Sequence, residues 1–479
     1  MRALVFLLSA VLLSFYVSVL NATTIHVPAD SATIQAGING AVDGDTVLVA
    51  DGTYTGDGNR NIDFLGKAMV VMSENGPESC IIDCEGSEVE PHRGFYFHNG
   101  EEASSVLKGF TITNGYADYY GGGIYCHESS PTIVGNMIMG NTAGWGGGIR
   151  CQDSYPTIEG NTITGNQADY SGGGINCWLG GPTISNNIIS GNSSNIWGGG
   201  IILIETGSHI ISNNLISANV ADTSGGIECY LNANPTITNN TITVNTATTY
   251  SGGLTVWEDC NVTVSNTIFW GNTAPSGEEI VVNKYTIPAT LTISYSDVEG
   301  GEEAVFVCEG CTLNWGDGMI DEDPMFVQPD TSLYTDHRLL WGSPCIDTGD
   351  PNLSDADGTR SDMGTHYFNQ LDYLTLYITP DITEVAPGGQ LGVTYTAINR
   401  WGWSQPFWAL SIATLSGSTP DIIMGPNRYI LPANYTAQVH TTYDIPSDAT
   451  MGVYNYWSGV GLPPGIVFDE DSFTFTVTE

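Results

Sequence analysis

The chain has 479 residues, and its 11 Lys and Arg against 52 Asp and Glu give a formal net charge of −41. Such a negative field disfavours nucleic acid and anionic membrane surfaces as partners and attracts cations, of which Ca²⁺ is the usual hard-oxygen ligand partner outside cells. The 59 glycines and the lack of a sustained 3.6-residue apolar period indicate an all-β protein with many turns.

Residues 1–22 are typical of a removable export signal. Arg2 precedes an apolar run from Ala3 to Leu20 that leads into Asn21-Ala22, a small-residue cleavage point. The alternative is an uncleaved membrane anchor. No later segment is long and apolar enough to insert into a membrane, so we expect a mature chain that is secreted, held at the cell surface or periplasmic.

A short helix is predicted over residues 33–42, because Ile34, Ile38 and Val42 fall on one helical face. Beyond it the chain repeats itself every 26 residues or so. Recognisable copies begin at Pro131, Pro156, Pro182, His209, Pro235 and Asn261, with a degenerate copy near Ser105. Three short apolar pieces per copy predict a solenoid with three strands per coil and therefore three parallel sheets.

Recurring residues are explained by stacking of the coils. Two files of asparagines are expected to form amide ladders: Asn136, Asn161, Asn187, Asn214, Asn240 and Asn266 in one, and Asn141, Asn166, Asn192, Asn219, Asn245 and Asn272 in the other. We expect these residues to use left-handed backbone angles. Glycine runs at one corner, among them 121–123 and 146–148, predict tight turns.

The cysteines divide into an inward file and two close pairs. Cys126, Cys151, Cys177 and Cys229 share one repeat position, where small core residues are expected ahead of disulfides. Cys80 with Cys84, and Cys308 with Cys311, are the better disulfide candidates in an exported protein.

Three segments carry a family resemblance, namely residues 24–54, 61–86 and 321–364. Together with the repeats they resemble the right-handed parallel β-helix superfamily, whose best-known members are pectate lyases and related polysaccharide enzymes, and more closely the uncharacterised secreted β-helix proteins of environmental bacteria. The resemblance implies a β-helix over residues 23–368. It is weak for function, because this scaffold carries lyases, hydrolases, esterases, phage spikes and adhesins.

Catalytic candidates are few. Cleavage of uronic-acid polymers requires cationic side chains or paired acids, and between Ser105 and Asn272 the chain has only Lys108 and Arg150 as basic residues. Arg150 and the nearby Asp153 are weak candidates, and an ion pair of Arg150 with neighbouring carboxylates is the more ordinary interpretation.

Aromatic residues recur at the corner before the glycines. Tyr120, Trp145, Trp197 and Tyr250 share one position, and Tyr170 lies one place earlier. A row of rings there predicts a ridge on which sugar rings lie, although the rings could equally cover their own glycine turns.

An acidic loop precedes the end of the solenoid. Asp347, Asp350, Asp355, Asp357 and Asp362 lie close together, and residues 355–359 resemble the start of a calcium-binding loop. The sequence predicts a structural Ca²⁺ here, with a solvated loop as the alternative.

Residues 369–479 contain about seven alternating strands separated by turns, which predicts an immunoglobulin-like β-sandwich. The leading hypothesis for the whole chain is a non-catalytic secreted or cell-surface protein acting in adhesion, surface structure or glycan binding. One alternative is a lyase or hydrolase acting on an acidic polysaccharide. Another is a subunit of a self-assembling extracellular fibre, because open solenoid ends are sheet edges that invite association.

Overall fold

The computed structural model describes residues 22–205, 207–328, 336–415, 421–463 and 465–478. All of the predicted signal segment except Ala22 lies outside the described residues. The α-helix Ile34–Gly40 and the 3₁₀ turn Glu302–Ala304 are the helical elements of the described part, which is otherwise all β. Thr33 caps the α-helix by accepting a hydrogen bond from Ala36 N, and Ile34 and Ile38 are buried in the solenoid core. The predicted helix is confirmed.

Three long parallel sheets form the solenoid walls, as predicted, and a shorter fourth sheet occupies the corner before the glycines. We name them in chain order within a coil as sheet 1, sheet 2, the corner sheet and sheet 3.

Sheet 1 has the 12 strands Thr24–Val27, Thr46–Val49, Val70–Ser73, Val106–Lys108, Thr132–Val134, Thr157–Glu159, Thr183–Ser185, Ile210–Ser212, Thr236–Thr238, Asn261–Ser265, Thr290–Ser294 and Thr312–Trp315. Sheet 2 has the 10 strands Gly52–Tyr54, Cys80–Asp83, Thr111–Thr113, Met137–Met139, Thr162–Thr164, Ile188–Ser190, Leu215–Ser217, Thr241–Thr243, Ile268–Trp270 and Asp297–Val298. The corner sheet has the six strands Tyr116–Tyr120, Thr142–Trp145, Gln167–Ser171, Ser193–Ser194, Val220–Ala221 and Thr246–Ala247. Sheet 3 has the nine strands Phe95–Phe97, Ile124–His127, Ile149–Ser154, Ile175–Gly180, Ile201–Ile204, Ile227–Tyr230, Leu254–Val256, Ile280–Val282 and Phe306–Val307.

Amide ladders run between the coils, as predicted. Asn166 Nδ2 donates to Asn192 Oδ1 at 3.0 Å, and Asn166 Oδ1 accepts from Asn141 Nδ2 at 3.0 Å. The second file ends at Glu279, whose Oε1 accepts from Asn272 N at 3.0 Å. The first file departs from the pattern at Asn266, which donates to Ser361 instead.

For five of the six asparagines of the first file, the expected left-handed backbone angle belongs instead to the residue before the asparagine. Gly135, Gly160, Asn186, Asn213 and Asn239 have positive φ. Of the ladder residues, Asn266 alone is among the described residues with positive φ. The turn is therefore made one residue earlier, and the ladder amide is left free to bond along the axis.

Glycines make the corner because neighbouring coils touch there. A Cβ on Gly147 would lie 2.3 Å from Gln167 O, and one on Gly174 would lie 2.6 Å from Gly200 O. Backbone cannot move aside as a flexible side chain can, so a residue with a Cβ is excluded at these positions.

One of the two predicted disulfides is present. Cys308 and Cys311 are bonded, with Cα atoms 5.4 Å apart. The prediction for Cys80 and Cys84 is wrong, because both are free buried thiols that point into the core from alternate positions of one extended segment. The inward file of Cys126, Cys151, Cys177 and Cys229 is also free, so these residues serve as core side chains.

After the solenoid the chain forms an antiparallel pair, Phe326–Gln328 with Asp336–Leu339, and then a β-sandwich. The sandwich has a three-stranded sheet, Leu374–Pro380, Gln390–Asn399 and Tyr435–Asp444, and a five-stranded sheet, Glu384–Val385, Gln405–Leu415, Asp421–Leu431, Gly452–Leu462 and Ile466–Val477. These eight strands exceed the predicted seven by one.

Arg338 joins the exit segment to the sandwich. Its guanidinium lies 2.7 Å from Asp336 Oδ2 and 2.7 Å from Asp471 Oδ2, and it covers the Tyr377 ring at 4.2 Å. Two carboxylates and a ring therefore hold one side chain at the contact.

Candidate functional site: an aromatic corner ridge

The glycine turns leave a row of aromatic side chains projecting along the corner. Trp145 is paired with Tyr120 on one side and with Ser171 on the other, and Ser171 bridges to Trp197. Tyr170 lies one residue before Ser171. Tyr120, Trp145 and Trp197 thus lie in one file, as the repeat predicts, with Tyr119 and Tyr170 one residue before it. We call these five residues the corner ridge.

Three rings of the corner ridge have nearly parallel planes. The Trp145 and Tyr170 centroids are 4.5 Å apart with an angle of 22°, and those of Tyr119 and Trp145 are 6.4 Å apart with an angle of 16°. Tyr119 is 65% exposed and Tyr170 43%. The two exposed tyrosines, with the half-buried Trp145 between them, present an apolar strip to solvent across successive coils.

Two of the predicted ring positions stand apart from this stack. Trp197 is 39% exposed on the next coil and, within the described residues, contacts none of the other ridge rings. Tyr250 packs edge-on against Trp257, with centroids 5.2 Å apart and an angle of 86°, and Trp257 stacks in turn on Tyr285. Tyr250 therefore belongs to a separate aromatic group further along the solenoid.

Arg150 lies beneath the ridge and is buried. Its side chain is only 2% exposed, and its guanidinium lies between the Tyr120 ring at 5.3 Å and the Trp178 ring at 5.5 Å. Its Nη1 donates to Asn176 Oδ1, and its Nε has no partner. Burial lowers the pKa of Arg150 from its ordinary value.

Asp153 is not brought to Arg150. It is exposed and adopts a left-handed backbone conformation at the end of its strand, with φ of 50°. Among the described residues no ion pair joins the two, and the ion pair expected for Arg150 is not found. A catalytic role for either residue stays a prediction.

The outward side chains of sheet 3 form a second row beside the ridge. Sequence reasoning missed this row. Tyr96, Tyr125 and Arg150 follow one another in register. The Tyr96 and Tyr125 rings are stacked 5.0 Å apart with an angle of 4°, and Arg93 lies over both. The alternation of inward Cys126 with outward Tyr125 was the available signal.

Glu228 lies further along the same row of sheet 3 and is a buried acid. Its Oε2 accepts from Thr223 Oγ1 at 2.8 Å and from Gly198 N at 3.1 Å, which ties the corner to sheet 3. Burial raises the pKa of Glu228 to about 8. This acid is held by its neighbours and is closed to solvent.

The acidic exit loop draws four of its five predicted aspartates together. Asp362 accepts from Asp347 N at 2.7 Å, Asp355 accepts from Asp362 N at 2.8 Å, and Gln370 Nε2 donates to Asp347 Oδ2 at 2.7 Å. Asp357 joins through Gln370 N at 2.8 Å. Asp350 instead bonds Asn352 with its side chain.

These carboxylates are occupied mostly by the loop itself. Asp347 Oδ1 is buried without a partner, and burial raises the pKa of Asp362 to about 7. Within the described ranges no group of three or more His, Cys, Asp or Glu is arranged to hold a metal ion. The structural Ca²⁺ stays a prediction.

The family comparisons fall on the solenoid. Residues 173–316 match the model described as a right handed beta helix region, and residues 55–199 match a protein of unknown function (DUF1565). The chain contains a right-handed parallel β-helix. The β-helix match covers four of the glycine corners and Trp197, and the other match covers all five residues of the corner ridge.

The remaining comparisons add no functional information. No curated protein matches the chain. Solved structures that match include the sporulation control protein Spo0M from Bacillus subtilis, with 10% identity, a TM-score of 0.19 and coverage of 22% of this chain and 50% of that one. The Pseudomonas fluorescens alkylpurine DNA glycosylase AlkC, bound to DNA containing an abasic site analog, has 11% identity, a TM-score of 0.19 and coverage of 23% and 32%. The beta-glucosidase from Listeria innocua, in complex with glucose, has 13% identity, a TM-score of 0.18 and coverage of 40% and 31%.

The chain spans half or less of the length of these three proteins, and likeness at such TM-scores supports no inference. Among the described residues, no helix has the length and apolar character needed to cross a bilayer.

Proposed function

We propose that this β-helix protein is exported, binds neutral glycans along the corner ridge without cleaving them, and acts in adhesion or surface structure. The observation that carries the proposal is the stack of Tyr119, Trp145 and Tyr170, in which the two tyrosines are exposed. The flat C–H face of a sugar ring packs on an aromatic face, and successive rings along the solenoid suit a polymer.

The charge of the chain favours a neutral glycan. With a net charge of −41, the protein repels anionic polymers at long range. Asp118 and Asp169 are exposed next to ridge rings, and carboxylates there can accept hydrogen bonds from sugar hydroxyls. The apolar strip thus suits the C–H face of an uncharged sugar, and the carboxylates beside it suit the sugar's hydroxyl groups.

Burial of Arg150 argues against the lyase alternative. A base that removes a proton from a polysaccharide must contact that polysaccharide, and Arg150 is covered by Tyr120 and Trp178. The fibre hypothesis rests on open solenoid ends, and the helix Ile34–Gly40 covers one of them.

Affinity electrophoresis through gels containing xyloglucan, mixed-linkage β-glucan or galactomannan tests the proposal. We expect the wild-type protein to be retarded by at least one of them. The double variant Trp145→Ala, Tyr170→Ala removes the central stack and should weaken binding by about fivefold or more, from about 0.5–1.5 kcal/mol for each of the two lost ring contacts.

Tyr155→Ala is the matched control, because Tyr155 is 64% exposed and lies after sheet 3, away from the ridge. It should bind as the wild type does. Equal retardation of the double variant and the wild type would contradict the proposal, as would the absence of retardation in all three gels.

A further inference from the structure

A second set of exposed aromatic rings lies on the sandwich next to the exit segment. The Tyr373 and Trp401 centroids are 6.0 Å apart with an angle of 11°, and those of Trp401 and Trp403 are 6.1 Å apart with an angle of 21°. Trp403 is 61% exposed and Tyr373 52%. We call these three residues the junction platform.

The junction platform is held in place by its own loop. Asn399 Oδ1 accepts from Trp401 N at 2.9 Å, and Asn399 Nδ2 donates to Trp403 O at 3.0 Å. The Trp401 ring also packs edge-on against Phe468 at 5.5 Å. Rings fixed in this way lose little conformational entropy when a ligand lies on them.

Arg400 fixes the platform to the exit segment. Its guanidinium lies over the Tyr373 ring at 5.2 Å and over the Trp341 ring at 4.8 Å, and its Nε donates to Asp372 O at 3.2 Å. The Arg400 guanidinium and the Trp401 ring therefore cover Tyr373, and the outer face of the Trp403 ring provides the open surface.

We propose that the junction platform is a second binding site for a neutral polysaccharide, with a sugar ring lying on Trp403 and the exposed part of Tyr373 beside it. The proposal extends the ridge function and assumes the same class of ligand. Nearly parallel exposed rings offer the same apolar surface as the ridge, and the acidic chain disfavours anionic lipids and nucleic acid.

The two sites would act together on a long polymer. Because Arg338 links the exit segment to the sandwich, ridge and platform belong to one docked body. Simultaneous engagement of two sites can raise the apparent affinity by about 10²–10⁴-fold over either alone.

Calorimetric titration of the full chain with cellohexaose, xylohexaose and mannohexaose separates the sites by stoichiometry. We expect two equivalents of at least one oligomer per wild-type chain, one for Trp403→Ala, and two again for Trp403→Phe, which keeps a ring. Tyr155→Ala, the ridge control, should keep two equivalents, and thermal unfolding of each variant checks that it folds.

The possible failures are distinguishable. Two equivalents for Trp403→Ala, or a single wild-type equivalent that is lost in Trp145→Ala, Tyr170→Ala, would overturn the platform and leave the ridge standing. A single equivalent lost in Trp403→Ala would support the platform and overturn the ridge. No binding of any oligomer to the wild type would overturn both.

Discussion

Each ladder asparagine satisfies several buried backbone groups at once. Asn166 Oδ1 accepts from Asn141 N at 3.0 Å, and Asn166 Nδ2 donates to Ile138 O at 2.8 Å. Asn166→Ala leaves both of these backbone groups buried and unpaired, which we expect to lower the free energy of unfolding by about 2–4 kcal/mol. Urea denaturation followed by circular dichroism measures the change.

Asn195→Ala is the control, because Asn195 is exposed and its position is outside the ladder. It should change stability by no more than about 0.5 kcal/mol. Equal effects of the two substitutions would contradict the structural role of the ladder.

Glu228 makes stability depend on pH in an unusual direction. Burial raises its pKa from 4.5 to about 8, with a smaller contribution from the nearby Asp222. The folded state therefore binds the proton more tightly, and the stabilisation present below pH 4.5 is lost as the pH rises through about 8.

We expect the wild type to lose about 2 kcal/mol more than Glu228→Gln between pH 6.5 and 8.5, since glutamine keeps the shape without ionising. Protonation of His209 does not contribute between these two pH values, because burial lowers the pKa of His209 to about 4. Urea midpoints at the two pH values give the comparison, and parallel losses in both proteins would exclude a role for this carboxyl.

At the scale of the element, the glycine corner determines how closely the coils approach. Gly147→Ala places a Cβ 2.3 Å from Gln167 O, whereas a Cβ on Gly160 has no atom within 4 Å. Gly160 has φ of 63°, so Gly160→Ala should cost only the left-handed penalty of about 1–2 kcal/mol. Gly147→Ala should cost more, and thermal unfolding of the two variants compares them. A smaller loss for Gly147→Ala would show that the coils can move apart.

Elements made of repeated residues could be predicted from the sequence, because stacking copies the same contact in each coil. The asparagine files, the glycine corner and the inward cysteines are of this kind. The fourth sheet could not be predicted in this way, since its strands are as short as Ser193–Ser194 and carry no apolar pattern of their own.

The candidate site could be predicted only in part, for a similar reason. The repeat spacing aligned Tyr120, Trp145 and Trp197, and the strand pairing of successive coils places them in one file. Burial of Arg150 depends on the corner folding back over sheet 3, which involves residues on different strands of a coil. The junction platform falls outside the repeat, although the closely spaced Trp401 and Trp403 were visible in the sequence.

At the scale of the whole molecule, Arg338 couples the β-helix to the sandwich. Arg338→Ala leaves Asp336, which is 9% exposed, and Asp471 without their shared cation. We expect the sandwich to undock, which small-angle scattering would record as a larger radius of gyration while circular dichroism stays unchanged.

Arg428→Ala is the control for docking. Arg428 is exposed on a sandwich strand and has no ion pair among the residues described. An unchanged radius of gyration in Arg338→Ala would show that other contacts hold the two parts together.

The central claim is that the corner ridge binds a neutral polysaccharide and leaves it intact. Prolonged incubation of the protein with the polysaccharide that retards it most, followed by assays for bound protein and for new reducing ends or unsaturated products, tests both halves at once. The account predicts retained protein and no new chain ends, with retention reduced in Trp145→Ala, Tyr170→Ala. Release of new chain ends by the wild-type protein, or retention unaffected by loss of the two rings, would contradict it.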